Sequence, residues 1–131
     1  MQFVMLDTER LIKAHLDEEH AELHYECGGF WDAESIDEMF AVLSRTSAPL
    51  VKAGKPFSGL GDFSRAMPQD QATAQKMGEH LQMAAKAGYK RSAIVGASAL
   101  FKLQYRRVSQ GIEVEYFDDR DAAIKWLRAG N

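Results

Sequence analysis

The chain has one cysteine, three prolines and no apolar run near the ~20 residues that span a bilayer. With Cys27 as the only thiol, an intrachain disulfide is excluded. A lone cysteine in a strand reads as a small buried hydrophobe, because no helix N-terminus or basic partner stands beside it to favour the thiolate. The first residues, Met-Gln-Phe-Val-Met-Leu, lack the basic start and small-residue cleavage site of a signal peptide, so a cytoplasmic address is expected, with no integral membrane segment. Also missing are a P-loop, a Gly-x-Ser-x-Gly elbow and a complete dinucleotide fingerprint. Gly59-Leu60-Gly61 starts like the last of these, but Ser64 stands at the third glycine position. The pair also lies in a strand, not at a strand-to-helix turn, and reads as close packing or a bulge. Positive charge is short too. A net charge of −3 argues against broad nucleic-acid binding.

What is present is ordinary globular material: 131 residues, 46% hydrophobic and 27% charged, enough for a single domain over 1–131. The charge is uneven. Residues 1–66 carry 12 acidic and 6 basic side chains, and residues 67–131 carry 7 and 10. These halves form either two solvated faces or complementary surfaces that favour a homodimer.

Leu11 to Cys27 reads as a β-hairpin with its turn at Asp17-Glu18-Glu19-His20. Leu16 then faces Ala21, Ala14 faces Leu23 and Ile12 faces Tyr25, all on a core face. Lys13, His15, Asp17, His20, Glu22 and His24 fall on the other. Phe3 to Leu6 forms either a short strand or a loose arm. Gly28-Gly29 breaks the strand, and Asp32 caps a helix to about Arg45 with Ile36, Met39, Phe40 and Leu43 on one face. Ala48-Pro49 opens a loop. Phe57 to Ser64 is a buried strand. Pro68 suits the first turn of a helix that reaches Ala87 and ends at Gly88, with Met77, Leu81, Ala84 and Ala85 on one face. Ser92 to Gly96 is a short apolar strand. Ser98 caps a helix through Val108, with Phe101 and Tyr105 on one face. Glu113 to Phe117 is the last strand. Asp118 or Asp119 caps a final helix bearing Ala122, Ala123, Trp126 and Leu127. The order is ββαβαβαβα: an α/β mixed sheet opened by an antiparallel hairpin, with helices packed on the sheet.

Two groups of residues carry possible chemistry. His20, Glu22 and His24 alternate on one strand face, where imidazole and carboxylate donors could gather on a metal, although a polar solvent face gives the same pattern. Asp62, Phe63 and Ser64 end one parallel strand, and Gly96, Ala97 and Ser98 lead from another into a helix. Ligands in open α/β sheets bind at such carboxyl ends, while Ser98 and Asp118 also serve as ordinary caps. The methionines, Met39, Met67, Met77 and Met83 among them, suit an adaptable apolar pocket or plain core.

Three stretches carry a family resemblance: Gly61-Asp62-Phe63-Ser64, Ala93-Ile94-Val95-Gly96, and the ending from Val114 to Leu127 with its acidic cap, alanine pair and Trp126-Leu127. Over about residues 9–128 the chain resembles the STAS superfamily, closest to its SpoIIAA-like branch, sometimes grouped with Sec14-like lipid-binding domains. The resemblance implies a non-enzymatic module that needs no cofactor and binds partner proteins, nucleotides or small apolar ligands. It also implies a nonpolar site between the sheet and mobile helices. In anti-sigma-factor antagonists of that superfamily a phosphorylated serine opens the helix after the third strand. Here that stretch is Ala66-Met67-Pro68-Gln69-Asp70, with no serine, and Ser64 lies earlier. The leading expectation is a module for a small apolar ligand or a protein partner. A regulatory homodimer and a metal-dependent enzyme built on the hairpin histidines are the alternatives.

Overall fold

The alternation of short apolar strands with amphipathic helices builds a layered α/β structure. A computed structural model describes residues 10–129. Its elements are β1 (Leu11–Asp17), β2 (Glu22–Gly29), α1 (Ile36–Lys52), β3 (Phe57–Ala66), α2 (Gln71–Ala87), β4 (Tyr89–Val95), α3 (Ala99–Val108), β5 (Glu113–Phe117) and α4 (Arg120–Ala129). The order ββαβαβαβα is the one read from the sequence. The segment Phe3 to Leu6 lies outside the described residues.

The five strands lie in chain order, with β1 antiparallel to β2 and every later pair parallel. Three successive crossovers in the same direction, each right-handed, must place their helices on one face. Accordingly α1, α2 and α3 share a core with Cys27, Phe63 and Ile94. Among the described residues only α4 covers the other face, through Ala123 and Leu127 against Leu60 and Ala93. It packs on β3, β4 and β5, so Lys13 and His15 of β1 stay exposed on that face.

Local sequence explains most of the boundaries. Asp32 accepts the Ser35 N–H at 2.7 Å while its own N–H donates to Ser35 Oγ at 3.0 Å, a reciprocal turn that leads into α1. Asp70, Ser98 and Asp119 accept the N–H groups of Thr73, Phe101 and Ala122. Gly88 ends α2 at φ +120°, with its N–H on the carbonyls of Ala84 and Ala85.

Six expectations are corrected. The hairpin pairs Leu16 with Leu23, Ala14 with Tyr25 and Ile12 with Cys27, two residues from the predicted register. The turn is Glu18 to Ala21, because Asp17 accepts the His20 N–H at 3.2 Å and Ala21 takes φ 53°. A shift of two leaves every side chain on its predicted face. Helix α1 does not stop near Arg45 but continues through Pro49 to Lys52. Proline removes one hydrogen bond there, in the last turn, where little helix remains to disrupt. Pro68 precedes its helix, which Asp70 caps. Strand β3 extends to Ala66, where it still pairs with Gly29. Strand β4 begins at Tyr89, which pairs with Phe57.

Candidate functional site

Between α1, α2 and the sheet lies a cavity of about 430 Å³. Drug-sized ligands occupy pockets of roughly 300–1,000 Å³. Its floor is the sheet: Leu23, Tyr25 and Cys27 from β2, Phe57 and Phe63 from β3, and Tyr89 from β4. Phe101 and Tyr105 of α3 close the deep end. Leu43, Ala48 and Val51 of α1 face Met83, Ala84 and Ala87 of α2 across the mouth.

Two glycines make room for this floor. A Cβ at Gly59 would collide with the Tyr89 ring, and one at Gly61 would sit 2.6 Å from Tyr25 Cζ and 2.5 Å from Phe63 Cε1. The Gly59-Leu60-Gly61 segment is therefore a close-packing device: the tyrosine rings lie flat where side chains would otherwise stand. Phe63 meets Tyr25 edge-on at 5.7 Å and Phe101 at 4.8 Å.

The deep end is the most polar part of the site. Tyr89 donates to Ser92 Oγ at 2.8 Å. The Tyr105 hydroxyl is buried and finds no hydrogen-bond partner among the described residues. Burial pushes the Tyr25 and Tyr105 phenols well up and raises Tyr89 as well, so all three remain protonated donors at neutral pH. Cys27 is buried in the same wall, and its thiol is pushed up by burial and by the nearby Asp62 and Glu26 carboxylates. That environment is the opposite of what a reactive thiol needs.

Helices α1 and α2 are latched at one end of the mouth. Asp37 of α1 accepts from Lys76 Nζ at 2.7 Å and pairs with His80 Nε2 at 2.8 Å. The His80 ring stacks on Phe40 at 4.5 Å. The hydrogen bonds from His80 and Lys76 hold the Asp37 carboxyl below the usual aspartate range. Beyond this latch the seam runs between apolar side chains.

The opposite sheet face carries a second polar cluster. Glu22, 1% exposed, accepts two hydrogen bonds from Arg128 at 3.2 Å each, and a third contact comes from His24 Nε2 at 2.8 Å. Arg120 Nη2 lies 3.1 Å from His24 Nδ1. A guanidinium only donates, so Nδ1 accepts and Nε2 carries the proton directed at Glu22. Burial pushes the Glu22 carboxyl up, but the bonds from Arg128 and His24 outweigh it and hold the group below the glutamate range. Donor atoms of Asp17, Glu22 and His24 come within 4.8 Å of one another. Two guanidinium groups already bind the last two, so the arrangement is a closed ion-pair network that ties α4 to the hairpin.

Of the predicted metal candidates, Glu22 and His24 thus meet, while His20 turns to Asp17 at 2.9 Å. Of the predicted ligand contacts, Phe63 borders the cavity. Asp62 accepts both the Ser64 N–H and hydroxyl, at 3.0 and 2.7 Å. Gly96, at φ +78°, lies against Ser64, and Ser98 caps α3. Asp62 and Ser64 alternate with Gly61 and Phe63 along β3, so their side chains face away from the cavity, and neither they nor Gly96, Ala97 and Ser98 after β4 line it. Sequence reading placed Tyr25 and Tyr105 on core faces without seeing that they join Tyr89. The available signal was the pair of glycines on the core face of β3, which calls for large neighbours.

A five-stranded mixed sheet opened by a hairpin, with three crossover helices on one face and one helix behind, is the STAS type of architecture. The profile of the SpoIIAA-like family matches residues 23–128, and the chain belongs to that family. The fold is shared with a crystal structure, at 2.25 Å, of an uncharacterized protein of the DUF3478 family with a SpoIIAA-like fold from Shewanella loihica PV-4. The two are 20% identical, with a TM-score of 0.63 over 89% of this chain and 92% of that one. No curated protein is significantly similar to the chain. No helix among the described residues is long and apolar enough to cross a membrane.

Proposed function

We propose that this protein is a non-catalytic binding module whose ligand is a small, largely apolar molecule held between α1, α2 and the sheet. The observation that carries the reading is the 430 Å³ cavity, walled by aromatic and aliphatic side chains and opening along the α1–α2 seam. Burying a ligand there removes apolar surface on both partners from water, at roughly 25 cal/mol per Å². Of the carboxyl-end residues, Phe63 borders that space, while Asp62, Ser64, Gly96, Ala97 and Ser98 stand outside its wall. Native mass spectrometry of freshly purified protein, with organic extraction, tests the reading. A stoichiometric added mass that moves into the organic phase supports it. A bare chain that also takes up no apolar probe refutes it.

A protein-partner reading draws on α3, where Leu100 and Leu103 are 56% and 52% exposed on one side of the helix. Sedimentation of the purified chain, with Leu103→Glu beside it, measures whether that side joins two copies.

A further inference from the structure

We infer that the deep end of the cavity selects a ligand bearing one uncharged oxygen acceptor, a carbonyl or hydroxyl, at the end of an apolar body. This deepens the cavity reading above and rests on it. Three phenols reach the deep end from three elements: Tyr25 from β2, Tyr89 from β4 and Tyr105 from α3. The Tyr89 hydroxyl lies over Gly59, and the Tyr25 hydroxyl lies over Gly61. Two residues along one strand face span roughly 6.6 Å, so these donors are gathered in one small region.

Their hydrogen bonding is incomplete. Tyr89 is used by Ser92. Tyr105 is 2% exposed, and its hydroxyl is unpartnered among the described residues. Native proteins seldom leave a buried hydroxyl in that condition, because its lost hydration goes unrepaid. Tyr25 is only half-buried despite lying beneath the helices, and its free surface belongs to the cavity wall. The Tyr25 hydroxyl is therefore the donor open to the cavity where the apolar wall ends, and the Tyr105 hydroxyl, which has no open surface of its own, stands beside it and supports it.

The oxygen they suit is uncharged. The lysine of the wall, Lys52, and its histidine, His80, come from α1 and α2 at the mouth. A carboxylate at the deep end would be desolvated with no counter-ion. A carbonyl or alcohol oxygen accepts from a phenol without that penalty. A hydrocarbon would leave the hydroxyls as they are.

The test is displacement of a bound naphthylamine probe by four molecules of matched length: decane, methyl octyl ketone, decanol and decanoate. The ketone and alcohol should displace the probe at roughly tenfold lower concentration than decane, the size expected of one net hydrogen bond. Tyr25→Phe and Tyr105→Phe, checked for folding by thermal melting, should keep decane binding and lose that preference. Equal binding of decane and ketone would overturn the polar-end proposal while leaving the cavity reading intact. The same holds for a ketone preference that survives both variants, and for decanoate binding best. Failure of the probe and all four molecules to bind would overturn the cavity reading itself.

Discussion

Tyr25 lies across Gly61 of the adjacent strand so closely that a Cβ at position 61 would stand 2.7 Å from the phenolic oxygen. The floor of the cavity therefore depends on a missing side chain. Gly61→Ala should push Tyr25 and Phe63 into the cavity, costing about 1–3 kcal/mol as overpacking does. Urea unfolding measures the loss, and probe binding should weaken in parallel. A fully stable Gly61→Ala that binds normally would show that the floor can relax.

Glu22 and Arg128 join the hairpin to the last helix across 106 positions of sequence. Glu22→Gln keeps the shape but removes the charge that Arg128 meets, and should cost about 1–3 kcal/mol. The pH dependence has a definite sign. The folded carboxyl titrates below its unfolded value, so its contribution is complete above about pH 4.3 and is lost as pH falls through the lower folded value. Urea unfolding over that acid range should show a shallower slope for Glu22→Gln than for the parent chain.

The latch at Asp37 should govern exchange more than affinity. Its partners, Lys76 and His80, sit on the facing helix. Asp37→Asn should release a bound apolar probe severalfold faster in stopped-flow, with a smaller change at equilibrium. An unchanged release rate would place the route elsewhere than the α1–α2 seam.

Cys27 offers a readout from inside the wall. Its thiol is buried and its ionisation pushed up, so a maleimide should label it slowly at neutral pH, and an apolar ligand should slow it further. Intact mass against time measures both effects.

The order of elements was legible because most boundaries have a local cause: Ser98 and Asp119 accept N–H groups, and Gly88 takes a positive φ. The hairpin register was not, since alternation is blind to a slip of two residues and the turn depends on the Asp17–His20 contact. Pro49 misled because a proline stops a helix in mid-course but is tolerated in its last turn. The cavity left the faintest trace. A gap between two helices is set by how α1 and α2 sit on the sheet, and Phe40, Leu43 and Ala84 read the same whether they touch or stand apart. The Arg120 and Arg128 contacts with His24 and Glu22 join opposite ends of the chain, and no local pattern announces them.

The central claim is that the space between α1, α2 and the sheet is a binding site. It is tested most directly by titrating a naphthylamine probe into the protein and into Ala84→Phe, which places a ring in the cavity from α2. The account predicts saturable binding of one probe per chain, lost in a variant that melts no lower than the parent. Absence of saturable binding to the parent chain, or equal binding by a folded Ala84→Phe, would contradict it.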